Sequence, residues 1–264
     1  MLIDLTGKKA LVTGSTSGIG RATAASFARA GAEVVVNGRD DGRVADAVQE
    51  LRAETGSDRV TGVAADVGTA DGAAALIAEV PDVDILVNNA GIFSATPVFE
   101  ISDAEWLRFF EVNVLSGIRL ARHHTPRMVE RGWGRVIFVS SESSVFIPTE
   151  MVHYGVTKTA QISVARGMAQ EVKGSGVTVN SVLPGPTLTP GVEEFVRDRV
   201  GADIPFEEAE RRFIAEERPT SLLGRLIRPE EIANMITYVA SELSSSTTGA
   251  ALRADGGVAP TIFP

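Results

Sequence analysis

At 264 residues, with 44% hydrophobic and 22% charged side chains, the chain can bury a sizeable core and is not a disordered, collagenous or coiled-coil protein. A formal net charge of −9 argues against a nucleic-acid binder or a binder of anionic membranes. With no cysteine, disulfides, thiolate catalysis, cysteine zinc sites and iron–sulfur clusters are excluded, and three histidines, two of them adjacent, predict no metal site.

The first nine residues lack the apolar run of a signal peptide, and no stretch of about 18 apolar residues occurs, so a cytoplasmic protein is expected. Short β-branched runs alternate with helical patterns. Ala10 to Thr13 predicts a first strand, followed by glycines and an alanine-rich helix from about Gly18 to Ala30. Glu33 to Asn37 predicts the second strand, about Gly42 to Glu54 the second helix, and Val60 to Ala65 the third strand. Asp84–Asn88, Arg135–Ser140, Val177–Val182 and Ala250–Ala254 predict four more. Continuous apolar strands separated by helices imply an α/β fold: a single Rossmann-like, doubly wound parallel sheet of about seven strands with helices on both faces. No linker or charge block marks a boundary, so residues 1–264 read as one domain. From about Pro190 to Arg218 the rhythm breaks. This stretch is rich in Glu and Arg with few apolar residues, and reads either as a lid or as a solvated helical insertion.

Gly14-Ser15-Thr16-Ser17-Gly18-Ile19-Gly20 joins the first strand to the first helix. A pyrophosphate at a helix N-terminus meets free N–H groups and the positive end of the helix dipole, and glycine lets the backbone approach closely. The spacing is G-x-x-x-G-x-G. With a strand before it and a helix after, it predicts a dinucleotide site.

Four further blocks accompany the loop: Asp66-Val67; Asn88-Asn89-Ala90-Gly91; Ser141 followed by Tyr154-Gly155-Val156-Thr157-Lys158; and Asn180 through Pro184-Gly185. In this order and spacing the chain resembles the short-chain dehydrogenase/reductase family from about Leu5 to Gly257. The resemblance implies hydride transfer between a nicotinamide dinucleotide and a carbonyl or secondary alcohol, by a homotetramer. It implies Tyr154 as acid/base, Lys158 as modifier of the tyrosine and ribose ligand, and Ser141 as substrate orienter. Asn113 would support a proton-relay water near Lys158. Ser140 is the rival serine, and the family's thirteen-residue spacing to the tyrosine selects Ser141.

The residues support these roles independently. Tyr154 and Lys158 are i,i+4 and share a helix face. A phenol near pKa 10 is a poor base at neutral pH, and a nearby ammonium should lower it toward a usable value. Ser141 follows the fifth strand at its carboxyl end, where open α/β sheets bind ligands. His153 lies about 100° round the helix from Tyr154 and reads as at most a substrate contact. His123-His124 reads as a helix surface or a subunit contact. Glu142 and Glu150 read as solvated loop charge or as contacts to a polar substrate.

No carboxylate ends the second strand at Val36-Asn37-Gly38-Arg39, and Arg39 offers a forked cation for a 2′-phosphate, although Asp40 and Asp41 follow it. NADP is therefore the expected cofactor, with NAD the alternative. The resemblance places Asp66 and Val67 by the adenine, Asn89, Ala90 and Gly91 along the adenosine ribose, and Thr187 near the carboxamide. Asn88 can also be read as a plain strand-end cap. A 3-oxoacyl thioester reductase is the narrower alternative, and a non-catalytic dinucleotide sensor the alternative from another class. The apolar run from Trp106 to Ala121 and the apolar tail from Val258 to Pro264 are read as subunit contacts.

Overall fold

The computed structural model describes residues 2–201 and 203–262. Its seven strands are β1 (Lys9–Val12), β2 (Glu33–Gly38), β3 (Val60–Ala64), β4 (Ile85–Asn88), β5 (Gly134–Val139), β6 (Val177–Pro184) and β7 (Ala251–Ala254). They form one sheet in the order β3-β2-β1-β4-β5-β6-β7, with every neighbouring pair parallel. The expected α/β doubly wound sheet is what the chain builds, with strand ends shifted by one or two residues.

Helices α1 (Gly18–Arg29), α2 (Asp41–Thr55) and α9 (Pro229–Ala240) cover one face. Phe27, Leu51, Ile232 and Ile236 pack there on Val12, Val34 and Val36. Helices α3 (Ala70–Glu79), α5 (Ser116–Arg131) and α6 (Val152–Glu171) cover the other, setting Leu76, Leu120, Met128 and Ala165 against Leu11, Val35, Leu86 and Phe138. Adjacent residues such as Leu11 and Val12 enter opposite layers, as the two-residue strand period requires. Every residue of β4, β5 and β6 is buried, as expected of a parallel sheet covered on both sides. The neighbours of β1 are β2 and β4, so the winding reverses there and opens a crevice at the carboxyl ends of β1 and β4.

The Trp106–Ala121 run is not one helix. Helix α4 (Asp103–Phe110) passes through a π-helical turn, Glu111–Leu115, into α5. A π turn inserts an extra residue and rotates the next helix by roughly 100°. Two apolar stripes with different phase therefore look like one over-wide stripe, which accounts for much of the surplus assigned to subunit contact. His123 lies on the surface with Nε2 against the Pro81 carbonyl at 2.9 Å. His124 is fully buried, contrary to the surface reading, and neither ring nitrogen has a partner. Of the tail, Val258 and Ala259 are buried in the fold and Ile262 is 90% exposed; Phe263 and Pro264 lie outside the described residues.

The 190–218 segment also departs from expectation. It forms two helices, α7 (Pro190–Val200) and α8 (Phe206–Glu217), whose Val196, Ala209, Phe213 and Ile214 bury one another together with Leu226. Thr189 caps α7 by accepting from the Val192 amide at 3.3 Å, and Pro190 opens its first turn. Its few apolar residues recur at helical spacing, and that is enough for a small core of its own.

Candidate active site

One cavity runs along the carboxyl edge of the sheet. Gly14, Gly18 and Ile19 of the glycine loop stand at one end, and Ser141, Tyr154 and Lys158 at the other. Three features fit the loop end to a dinucleotide. A Cβ at Gly20 would lie 2.5 Å from the Gly14 carbonyl and 2.6 Å from Asn89 Nδ2, so the turn closes only on glycine. Gly14 and Gly18 have φ of +60° and +56°, in the left-handed region. The first turn of α1 carries no acidic residue, and its N-cap Ser17 makes no side-chain cap, whereas α2, α3, α4 and α7 are each capped by a side chain. Open N–H donors on a positive helix end are what a pyrophosphate takes.

The loop is held from below. Ser15 is buried, donating to the Val12 carbonyl at 2.6 Å and accepting from the Asn37 amide at 3.0 Å, so its hydroxyl is structural. Asn89 Nδ2 donates to the carbonyls of Thr13 and Gly14 at 2.9 and 3.0 Å. Its amide thus clamps the loop, and what Asn89, Ala90 and Gly91 present to the cavity is chiefly backbone. Thr16 stands against Gly38, where a Cβ would lie 2.7 Å from Thr16 Cγ2.

Arg39, Asp66 and Val67 lie beyond this cavity, one strand or two along the edge. The pairing Gly38↔Ala64 sets Arg39 and Asp66 close together past the ends of β2 and β3. Arg39 is exposed and makes no hydrogen bond or ion pair with another described residue. Of the two carboxylates that follow it, Asp40 caps α2 by accepting from the Arg43 amide at 2.8 Å, and neither Asp40 nor Asp41 forms an ion pair with Arg39 among the described residues. Asp66 is exposed, accepting from the Gly68 amide at 3.0 Å, and Val67 is buried beside it. Thr187 is buried in the cavity wall, its hydroxyl donating to the Gly185 carbonyl at 2.8 Å.

At the other end, the two serines separate by partner. Ser140 donates to the backbone carbonyl of Lys158 at 2.8 Å, which ties β5 to α6. Ser141 donates to Glu142 Oε2 at 2.5 Å and accepts from the Ser143 amide at 3.1 Å. Lys158 is buried and its Nζ donates to the Val139 carbonyl at 2.9 Å, 5.5 Å from the centroid of the Tyr154 ring. Burial pulls the ammonium down to about 8, against the opposing charge of Glu142.

The phenol runs against expectation. Burial first, then the charge of Glu142, push Tyr154 above its usual value, with a hydrogen bond to Ser141 pulling the other way. In the protein alone burial and the Glu142 charge prevail, and Lys158 is tied to the Val139 carbonyl.

Asn113 is fully buried on the π turn, not a surface amide. Its Oδ1 accepts from the Ile92 amide at 2.8 Å, and its Nδ2 donates to the Ile92 carbonyl and to Thr157 Oγ1, each at 3.0 Å. Its own carbonyl accepts from Gln161 Nε2 at 2.5 Å. Asn113 and Lys158 meet only across Gly91, whose missing Cβ would lie 3.3 Å from Oδ1 and 3.4 Å from Nζ.

His153 is buried against Phe109 and Trp106 with Nε2 3.2 Å from Ser94 Oγ; it packs rather than faces the cavity. Asn88 is buried with both side-chain polar atoms unpartnered, so it is no strand-end cap. Glu142 is not solvated loop charge. It is 6% exposed, lines the cavity, and burial pushes its carboxyl up against the lowering effects of Ser141 and Arg218. Glu150 is half-buried and meets Arg218 at 3.4 Å. Arg218 is a further cavity residue that sequence reading did not single out.

The glycine-loop crevice thus leads to a serine, a tyrosine and a lysine brought together at its far end. A family model described as enoyl-(acyl carrier protein) reductase matches residues 14–259. The uncharacterized oxidoreductase YvaG of Bacillus subtilis (strain 168) is 49% identical over 264 residues, covering 100% of both chains. D-beta-hydroxybutyrate dehydrogenase of Cupriavidus necator is 34% identical, covering 96% of this chain and 98% of its own. The crystal structure of L-sorbose reductase from Gluconobacter frateurii, complexed with NADPH and L-sorbose, superposes with a TM-score of 0.91 at 33% identity, covering 99% and 100%. The chain belongs to the short-chain dehydrogenase/reductase family, and it is an oxidoreductase that uses a nicotinamide cofactor. No helix among the described residues is long and apolar enough to cross a membrane.

Proposed function

We propose that the protein exchanges a hydride between NADP(H) and the carbonyl or secondary-alcohol carbon of a small molecule, with Tyr154 moving the accompanying proton. The observation that carries this is the convergence of Ser141, Tyr154 and Lys158 in the cavity that begins at the glycine loop. The bound nicotinamide supplies or accepts the hydride. The loop Gly14, Ser15, Thr16, Ser17, Gly18, Ile19 and Gly20 holds the pyrophosphate, with open backbone N–H groups at the start of α1 and Ser15 anchoring the loop from below through Asn37, and Lys158 and Tyr154 hold the ribose. Ser141 orients the reacting oxygen. A phenol kept protonated is ready to donate to that oxygen during reduction. In the reverse direction the positive charge of Lys158 helps it to leave as phenolate. The space beside Gly91 is where Asn113 and Lys158 admit a relay water.

The choice of NADP rests on Arg39, exposed and unpartnered, and on the carboxylate-free end of β2. The similar L-sorbose reductase is complexed with NADPH. Asp66 and Val67 are placed at the adenine, and Thr187 at the carboxamide. A homotetramer in the cytoplasm is part of the same reading. A 3-oxoacyl thioester reductase is the narrower version, supported by 32% identity to the 3-oxoacyl-[acyl-carrier-protein] reductase of Aquifex aeolicus. A substrate screen of ketones, alcohols and acyl thioesters, monitored by absorbance of the reduced nicotinamide, separates the two. Tyr154→Phe should abolish turnover and leave cofactor binding nearly intact, because only the proton-carrying hydroxyl is lost. A Tyr154→Phe enzyme that still turns over would refute the mechanism.

A further inference from the structure

The cavity has a charged wall that proton transfer does not use. Glu142 comes directly after Ser141 in the chain and accepts its hydroxyl at 2.5 Å, which sets the carboxylate beside the point where the reacting oxygen is held. A carboxylate has about four acceptor positions, so capacity remains. Arg218, just past α8, is 9% exposed and lines the same cavity. Its Nη1 donates to the Glu217 carbonyl at 2.6 Å, and Nη1 and Nη2 reach Glu150 Oε1 at 3.4 Å. Its Nε is buried and has no partner. The rest of this end is apolar, from Phe93, Met151, Val192, Phe195 and Phe213.

Burying ionisable groups in such a wall is costly unless each finds hydrogen-bond partners. A bare ketone would offer nothing to the Arg218 guanidinium or to the spare acceptor positions of Glu142. Arg218 is already paired with Glu150 at 3.4 Å. An anionic substrate would have to compete with Glu150 for Arg218 and would lie beside the Glu142 carboxyl. A hydroxyl group donates and accepts at once, and so satisfies both walls without net charge.

We propose that Glu142 and Arg218 make the pocket selective for a neutral polyhydroxylated substrate, with hydroxyl groups on the carbons next to the one that exchanges hydride. Glu142 accepts from one such hydroxyl and the Arg218 guanidinium, which lines the cavity, donates to another. The proposal rests on the reading that Ser141 and Tyr154 hold the reacting oxygen.

The test uses the full-length enzyme with NADPH. Erythrulose and fructose are compared with butanone and 2-hexanone, and with 3-oxobutanoate as the anion. The readout is the ratio of kcat/KM for hydroxylated over bare ketones. That ratio should be at least about 100 in the wild type, since a site built to bond a hydroxyl strongly rejects the analogue lacking it. It should fall at least tenfold in Glu142→Leu and in Arg218→Met; a ratio is unaffected by a smaller folded fraction. Erythritol titrated calorimetrically into the enzyme–NADP complex should bind, and should bind at least tenfold more weakly to both variants. A wild-type ratio near one, a preference for 3-oxobutanoate, or a ratio unchanged in both variants overturns the proposal while leaving the reaction intact. Erythritol binding lost in the variants, without turnover of any ketone, would instead overturn the reaction and leave the wall standing. An enzyme that shows neither turnover nor erythritol binding overturns the proposal.

Discussion

Replacing Arg39 by alanine isolates the 2′-phosphate. The side chain projects from the end of β2, is exposed, and makes no bond within the described chain, so its removal should not change the melting temperature. A hydrogen bond to a charged partner contributes about 1.5–3 kcal/mol. Exposure brings salt screening, which places this one in the lower half, about 1.5–2 kcal/mol. At about 1.4 kcal/mol per tenfold, NADPH should bind roughly 10- to 30-fold more weakly to Arg39→Ala. Neither Asp40 nor Asp41 pairs with Arg39 among the described residues, so the guanidinium is open to the phosphate. NADH, which lacks the phosphate, should change by less than about twofold by the same reasoning. Cofactor fluorescence titrations at low and high salt measure this, and the NADPH loss should shrink as salt rises. Equal weakening of both cofactors, or a native preference for NADH, would refute the assignment.

Three further outcomes are expected. Asn37 is 1% exposed and its Nδ2 donates to the Val63 and Ala65 carbonyls, both at 3.1 Å, so Asn37→Asp sets a carboxylate against two carbonyls. It should cost about 2–5 kcal/mol and lower the melting temperature by several degrees, without creating an NAD site; a stable Asn37→Asp enzyme would contradict this. Burial holds His124 down at about 4, below its unfolded value near 6.5. Between these values the unfolded chain binds the proton and the folded one does not, so stability falls as pH drops through 6.5 toward 4, by roughly 2 kcal/mol at pH 5. His124→Leu should narrow the gap in melting temperature between pH 7.5 and 5, and an unchanged gap would count against the shift. Light scattering at micromolar concentration should give about 111 kDa, four times 27.8 kDa; a mass near 28 kDa would refute the tetramer.

The sheet was legible because most strands are short apolar runs rich in β-branched residues, and the glycine loop because it sits between a strand and a helix. Ser141, Tyr154 and Lys158 were legible from spacing. What was hidden depends on tertiary burial. Nothing in Ser141-Glu142-Ser143 marks the glutamate as buried, since a charged residue after a strand is ordinarily wet. Arg218 ends a segment whose charge disguised the helical spacing of Val196, Phe213 and Ile214. The π turn was hidden because two offset stripes imitate one broad one. The Thr189-Pro190 start of α7 was present as a cap signature, and could have shown that the segment begins a helix.

The order of the sheet bears on how the chain is made. When β3 has left the ribosome, β1 has β2 on one side only, and its other edge waits for β4, whose Ile85–Val87 pair with Ala10–Val12. From Ala64 to Asn88 is 24 further residues, roughly one to five seconds of synthesis at ~5–20 residues per second. Through that interval an apolar strand edge stands open, the kind that pairs with other nascent chains. The central position that gives β1 the cofactor crevice thus also leaves its second edge unpaired for an interval of translation.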